Sequence, residues 1–232
     1  MGEQPPPIPE VVPMTRLEDV RRRAERYLAL DPRVRRWRIG TDGEIALEVL
    51  VEGAVPPQDR YQIVELLGKP LFRIDRPEGA LDALLDDLVV VRVDVDGLRE
   101  EPLPEDPSQA LQHLHQRFWV DVWVAYGFLE RGKPYQAIKW LTDLRETLFA
   151  VGRISAGNPK LRDEEAIPEA AHGALAETCC KPESQAIGRA LLFAISVYRQ
   201  TRHEAAHRLQ MAFNEETELT LTRHLEERFG AI

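Results

Sequence analysis

The sequence predicts an α+β protein, with a small α/β half over residues 15–103 and a helical bundle over residues 104–232. Three observations carry that reading. Short segments before residue 97 alternate apolar and polar residues with period two, as half-buried strands do. The stretch "LREEPLPEDPSQ" (Leu98–Gln109) then concentrates prolines and acids, the composition of a linker. Beyond it, apolar residues recur at helical spacing to the end.

The opening "MGEQPPPIPEVVP" reads as a flexible proline-rich arm over residues 1–14. In "TRLEDVRRRAERYLALDP", Leu17, Val20, Ala24 and Leu28 share one helical face, Thr15 is placed to cap it and Asp31-Pro32 stops it. "VRRWRI" reads as a strand whose Val34, Trp37 and Ile39 are out of strict register. "EIALEVLV" alternates cleanly, with Ile45, Leu47, Val49 and Val51 on one face and Glu44, Ala46, Glu48 and Leu50 on the other. A helix "PQDRYQIVELLG" ends at Gly68, read as its C-cap, and a strand "LFRI" and a short helix "ALDALLDD" follow. The strand "LVVVRVDVDG" then carries Arg92, Asp94 and Asp96 on one face.

In the second half, "ALQHLHQRFWVDVWVAYGFLER" is apolar nearly all round, the mark of a central buried helix. Gly132 ends it and Pro134 opens the next. A shorter helix near residues 164–179, a long one after Pro182 and a last one over residues 215–229 complete the expected bundle.

With 44% hydrophobic and 30% charged residues the composition is that of an ordinary globular chain. The net charge of −9 makes nucleic acid an unfavourable partner, since phosphate contacts need surplus Lys and Arg. No apolar run is long enough for a membrane span. The two cysteines, Cys179 and Cys180, are adjacent and give neither metal spacing nor a disulfide framework, which points to a reducing, cytoplasmic setting.

The order helix, Asp-Pro-Arg-Val, strand, Gly-containing turn, second strand resembles the nucleotidyltransferase superfamily, in its branch of bacterial aminoglycoside adenylyltransferases. "FWVDVWVAYGFLERGKPYQAIKWLTDLRETL" (Phe118–Leu148) is similar to the helical domain that follows the catalytic half there. The resemblance covers residues 16–152. It implies a small mixed sheet closed on one side by a helical bundle. It also implies a Gly-Ser turn cradling phosphates and an Asp-x-Asp pair plus a third acid holding Mg2+ against a nucleoside triphosphate.

Carried onto this chain, Gly40 and Thr41 stand at the glycine turn. Glu44 stands at the first acid, Ala46 at the second, and Asp94, with Asp96 as its alternative, at the third. A slipped register would pair Asp42 with Glu44 instead. Asp121 is the candidate base for an acceptor hydroxyl, against a plain i, i+4 pair with Arg117. Lys139 is the candidate phosphate contact. A methyl group cannot replace the middle carboxylate, so the expected protein has an incomplete metal site and is impaired or inactive, with a cleft kept for a nucleotide or small molecule. The alternatives are an active Mg2+-dependent transferase acting on a small hydroxyl compound, and a non-catalytic module that binds a protein partner. "RHEAAH" (Arg202–His207) separately resembles the Arg…His motif of the HEPN ribonucleases.

Overall fold

The computed structural model describes residues 14–40, 46–53, 59–76, 80–95 and 106–230. Helix α1 (Met14–Leu28) leads into β1 (Val34–Gly40) and β2 (Leu47–Gly53), then α2 (Asp59–Leu67), β3 (Pro70–Asp75), β4 (Leu81–Leu85) and β5 (Val90–Val95). The strands form one mixed sheet in the order β1-β2-β5-β4-β3, with β2 and β5 parallel and every other pair antiparallel. Helices α3 (Pro107–Glu130), α4 (Pro134–Ala156), α5 (Asp163–Ala166), α6 (His172–Glu177), α7 (Ser184–Leu209) and α8 (Glu215–Phe229) follow. The chain is therefore α+β, a small mixed sheet with a helical C-terminal part. Among the described residues no helix is long and apolar enough to cross a membrane.

The alternation in β2 separates the two faces as expected. Leu47, Val49 and Val51 pack with Val91 and Val93 of β5 under α1 and α2. Glu48, Leu50, Arg92 and Asp94 consequently point to the opposite face. The uneven spacing of apolar residues in β1 has a local cause, because its pairing with β2 shifts register between Val34 and Arg36.

The opposite face is shared between two environments. Toward β3 and β4, residues Phe72, Ile74, Leu84 and Val90 join one apolar cluster with α3, including Phe118, Trp119 and Trp123. Toward β1 and β2, the face carries the charged residues described below. The apolar cluster thus runs unbroken from the sheet into the bundle.

Several sequence expectations are corrected. "ALDALLDD" is strand β4, not a helix; all five of its residues are buried, and a short stretch buried on both faces carries no helix-specific period. Residues 164–179 are not one helix, since Pro168 separates α5 from a 3-10 turn (Glu169–Ala171) and α6. Helix α1 begins at Met14, so Thr15 lies inside it. Gly68 follows α2, yet only Gly132, Gly157 and Gly230 among the described glycines have left-handed backbones. A Cβ at Gly68 would lie 3.0 Å from Leu85 Cδ1, so close packing is what suits glycine there. Gly132 does close α3 in the left-handed conformation, at φ 67°, and the Lys133 amide donates to the Phe128 carbonyl at 2.9 Å. The expected arm falls outside the described residues apart from Met14.

Candidate functional site

Strand register sets the composition of the exposed face. Gly40 of β1 is opposite Glu48 of β2, Glu48 is beside Arg92 of β5, and Arg92 is opposite Asp82 of β4. The next row runs Arg38, Leu50, Asp94. Side chains that share a row and a face are neighbours, so acids and arginines interleave across three strands. They line a pocket of about 230 Å³, whose walls include Arg38, Gly40, Glu48, Leu50, Arg92 and Asp94. A Cβ at Gly40 would meet nothing within 4 Å, so the space above it is open.

Arg131, at the end of α3, feels the charge of the pocket residue Glu48. Burial pulls the Arg131 guanidinium down from its ordinary value, and the Glu48 carboxylate acts against that pull. The end of α3 therefore sits within electrostatic reach of β2.

Behind the pocket lies an ionic network. Arg92 donates to both oxygens of Asp82, from Nε at 2.7 Å and Nη2 at 2.9 Å. Arg76 donates from Nε to Asp82 at 2.7 Å and from Nη2 to Asp121 at 2.6 Å. Arg117 completes it, donating to Asp121 at 3.3 Å. Asp82 and Asp121 are both 0% exposed. Burial pushes the Asp121 carboxyl up, with Arg76 and then Arg117 opposing. Burial likewise pulls Arg76 down, but Asp121 and Asp82 more than offset it, and its guanidinium stays charged. Arg76 also lies over the Trp140 ring at 5.2 Å, which ties α4 to the same network.

The residues singled out in the sequence separate into three groups. Gly40 and Asp94 line the pocket. Thr41, Glu44 and Asp96 lie outside the described residues. Asp121 and Lys139 stand elsewhere: Asp121 is enclosed in the ionic network, and Lys139 is exposed on α4 and is not among the pocket's lining residues. Asp94 is level with Leu50, while continuing the β2–β5 register brings Ala46 beside Val90. Four residues of strand separate those levels, roughly 13 Å at ~3.3 Å per residue. The acid that shares the pocket with Asp94 is Glu48.

Among the described residues no three His, Cys, Asp or Glu side chains converge as metal ligands. The two pocket acids are interleaved with Arg38 and Arg92, and fixed guanidinium charge beside them opposes a divalent cation. Glu48 and Asp94 are the acids of this pocket among the described residues, while Asp42, Glu44 and Asp96 lie outside them.

Arg38, Arg92, Asp82 and Arg76 were not among the candidates. Arg92 was visible as the i, i+2 neighbour of Asp94, but Asp82 was hidden by the helical reading of β4. In "RHEAAH", Arg202 is 3% exposed and donates to Glu218 at 2.8 Å and Glu215 at 3.1 Å, while His203 and His207 are exposed. Arg202 thus faces carboxylates within the fold.

A scan against protein-family models finds no match, and no curated protein is significantly similar in sequence. Among solved structures, an aminoglycoside 6-adenyltransferase from Bacillus subtilis superposes with a TM-score of 0.44 at 12% identity, over 90% of this chain and 97% of that one. The likeness is distant. It assigns neither activity nor ligand to this chain.

Proposed function

We propose that this chain is a nucleotidyltransferase-like protein with an incomplete metal site, impaired in transfer, whose pocket binds the anionic group of a nucleotide or similar small molecule. Arg38 and Arg92 contact that group, and binding needs no Mg2+. The observation that carries this reading is the register that sets Glu48 beside Arg92, with Arg92 fixed by both oxygens of buried Asp82. A guanidinium held by both oxygens of a buried carboxylate keeps its positive charge in a fixed place at the pocket wall, which suits phosphate or carboxylate oxygens.

The sequence resemblance supports the nucleotidyltransferase part, and Ala46 supports the impaired part. Asp121 acts as a strut in this reading, because its oxygens are occupied by Arg76 and Arg117. Residues 15–103 supply the pocket, and residues 104–232 brace it through α3. The open face of the sheet is the functional surface.

Calorimetric titration of ATP and GTP, each with Mg2+ and again with chelator, tests the proposal. The expected result is binding indifferent to metal and weakened about tenfold in Arg38→Ala, the loss of one charge-assisted contact. Binding that requires Mg2+ and vanishes in Glu48→Ala or Asp94→Ala would instead establish a working metal site. No binding under either condition would favour a protein partner.

A further inference from the structure

The two edges of the sheet are finished differently. At β3, Pro70 has no amide proton, and the Arg73 amide donates to Gln116 Oε1 of α3 at 2.9 Å. Helix α3 packs along that strand, so the edge is covered. At the other end of the order stands β1, which pairs with β2 alone. Among the described residues, no strand and no side chain hydrogen-bonds its far side. An edge strand left in this state offers a row of amides and carbonyls to a further strand.

The charge around β1 is an independent observation. Residues 16–38 hold nine arginines and four carboxylates, a net +5 in a chain of net −9, so the rest of the chain carries −14. Helix α1, the source of five of those arginines, packs on β1 and β2. Arg33, just before β1, is paired with Asp31 and Asp59. Arg16 and Arg26 of α1 are exposed and have no ion pair among the described residues. Such a concentration of one sign attracts the opposite sign and repels its own.

We propose that the outer edge of β1 is a docking site for an extended acidic segment of a partner protein, which joins the sheet as an added strand. Backbone hydrogen bonds to β1 hold the segment, and its carboxylates meet the arginines of α1 and β1. The arginines choose among strands. Pairing β1 with the β1 of a second copy sets arginine against arginine, which is destabilising. Nucleic acid matches the arginines but offers no strand backbone to the open edge, and the −14 of the remaining chain repels its phosphates. The edge is separate from the anion site proposed for the sheet pocket and does not depend on it.

The test measures fluorescence anisotropy of a labelled peptide of alternating Glu and Thr with the full chain. Three probes run beside it: the same peptide with every backbone amide methylated, a peptide of alternating Lys and Thr, and oligouridylate. The acidic peptide is expected to bind, and to bind more weakly as salt is added. Methylation keeps every charge and removes the ladder donors, so it should weaken binding about tenfold or more. Arg16→Glu with Arg26→Glu should weaken it about tenfold with an unchanged circular-dichroism spectrum. On binding, amide exchange should slow in β1 and stay unchanged in β3. The methylated peptide binding equally well, the Lys peptide or oligouridylate binding more tightly, protection in β3 rather than β1, or no binding of the acidic peptide would overturn the proposal.

Discussion

Between the sheet and α3, two carboxylates with no exposure, Asp82 and Asp121, are surrounded by Arg76, Arg92 and Arg117. Between α7 and α8, one such carboxylate, Glu218, meets Arg202 at 2.8 Å and Arg199 only at 4.0 Å. In the first region all four carboxylate oxygens accept hydrogen bonds. In the second, Glu218 Oε2 and Arg202 Nε have no hydrogen-bond partner among the described residues. Burial of charge is tolerated only when desolvation is offset by geometry and saturation. The comparison therefore teaches that the sheet network is saturated at every carboxylate oxygen, whereas the helix seam is an incompletely satisfied cluster in which Arg202 also donates to exposed Glu215 at 3.1 Å. The network borders the sheet pocket, and the seam borders a cleft of about 400 Å³ lined by Arg199, Arg202 and Glu215.

Breaking the network should have the largest effect. Asp121→Ala leaves Arg76 buried with only Asp82 as a partner, and uncouples α3 from the sheet. A loss of about 3–5 kcal/mol of stability is expected, the range for removing one partner of a buried ion pair. Urea unfolding would measure it. A loss below about 1 kcal/mol, as for exposed pairs, would show that water reaches Arg76 and that the network is no unit.

That network also marks how far the sequence could be read. The alternation in "EIALEVLV" gave β2 its two faces, and the Gly-x-Pro punctuation after Arg131 gave the α3–α4 turn. Both signals are local, and local signals survive without tertiary knowledge. Strand β4 was missed because Leu81, Leu84 and Leu85 fit a helical stripe as readily as a strand buried on both faces. With β4 lost, Asp82 had no position beside Arg92, and the row that organises the pocket could not be assembled. Arg76 was equally invisible, since its two carboxylate partners are 6 and 45 residues away in sequence. The face of the sheet was legible, and the charges that occupy it were not.

A pH experiment sharpens the comparison from the helical side. His115 on α3 hydrogen-bonds Tyr198 through Nδ1 at 2.8 Å, and the Phe118 and Tyr198 rings stack at 3.8 Å beside it. Burial, with Arg202 as a second cause, pulls the His115 imidazole down to about 3. The folded chain thus keeps His115 neutral where the unfolded chain protonates it, below the ordinary value near 6.5. Stability from this group is fully present above pH 6.5 and is lost as the pH falls toward 3. About 2 kcal/mol should disappear between pH 7.5 and pH 5. Burial raises the Glu218 carboxyl, whose slope runs the opposite way, so the His115 share is isolated by repeating the titration on His115→Gln. A variant with the same slope as the wild type would remove His115 as its cause.

The smallest expected effect discriminates most sharply between the regions. Because the Arg202–Glu218 pair is incompletely satisfied and the second partner of Arg202, Glu215, is exposed, replacing both members by apolar residues removes two desolvation costs together with one buried attraction. Arg202→Met with Glu218→Leu should therefore change stability by no more than about 1 kcal/mol, although Glu218→Leu alone leaves buried Arg202 with only exposed Glu215 and should cost about 3 kcal/mol. The Phe213 ring, 5.1 Å from the Arg202 guanidinium, is positioned to pack against the methionine instead. The same exchange at Asp82 and Arg76 has no such outcome, because Asp82 also anchors Arg92 and Arg76 also anchors Asp121. If the α7–α8 double variant were as unstable as the single one, the pair would belong to a larger unit as well. The contrast between a saturated network at the sheet and an incompletely satisfied seam between α7 and α8 would then be lost.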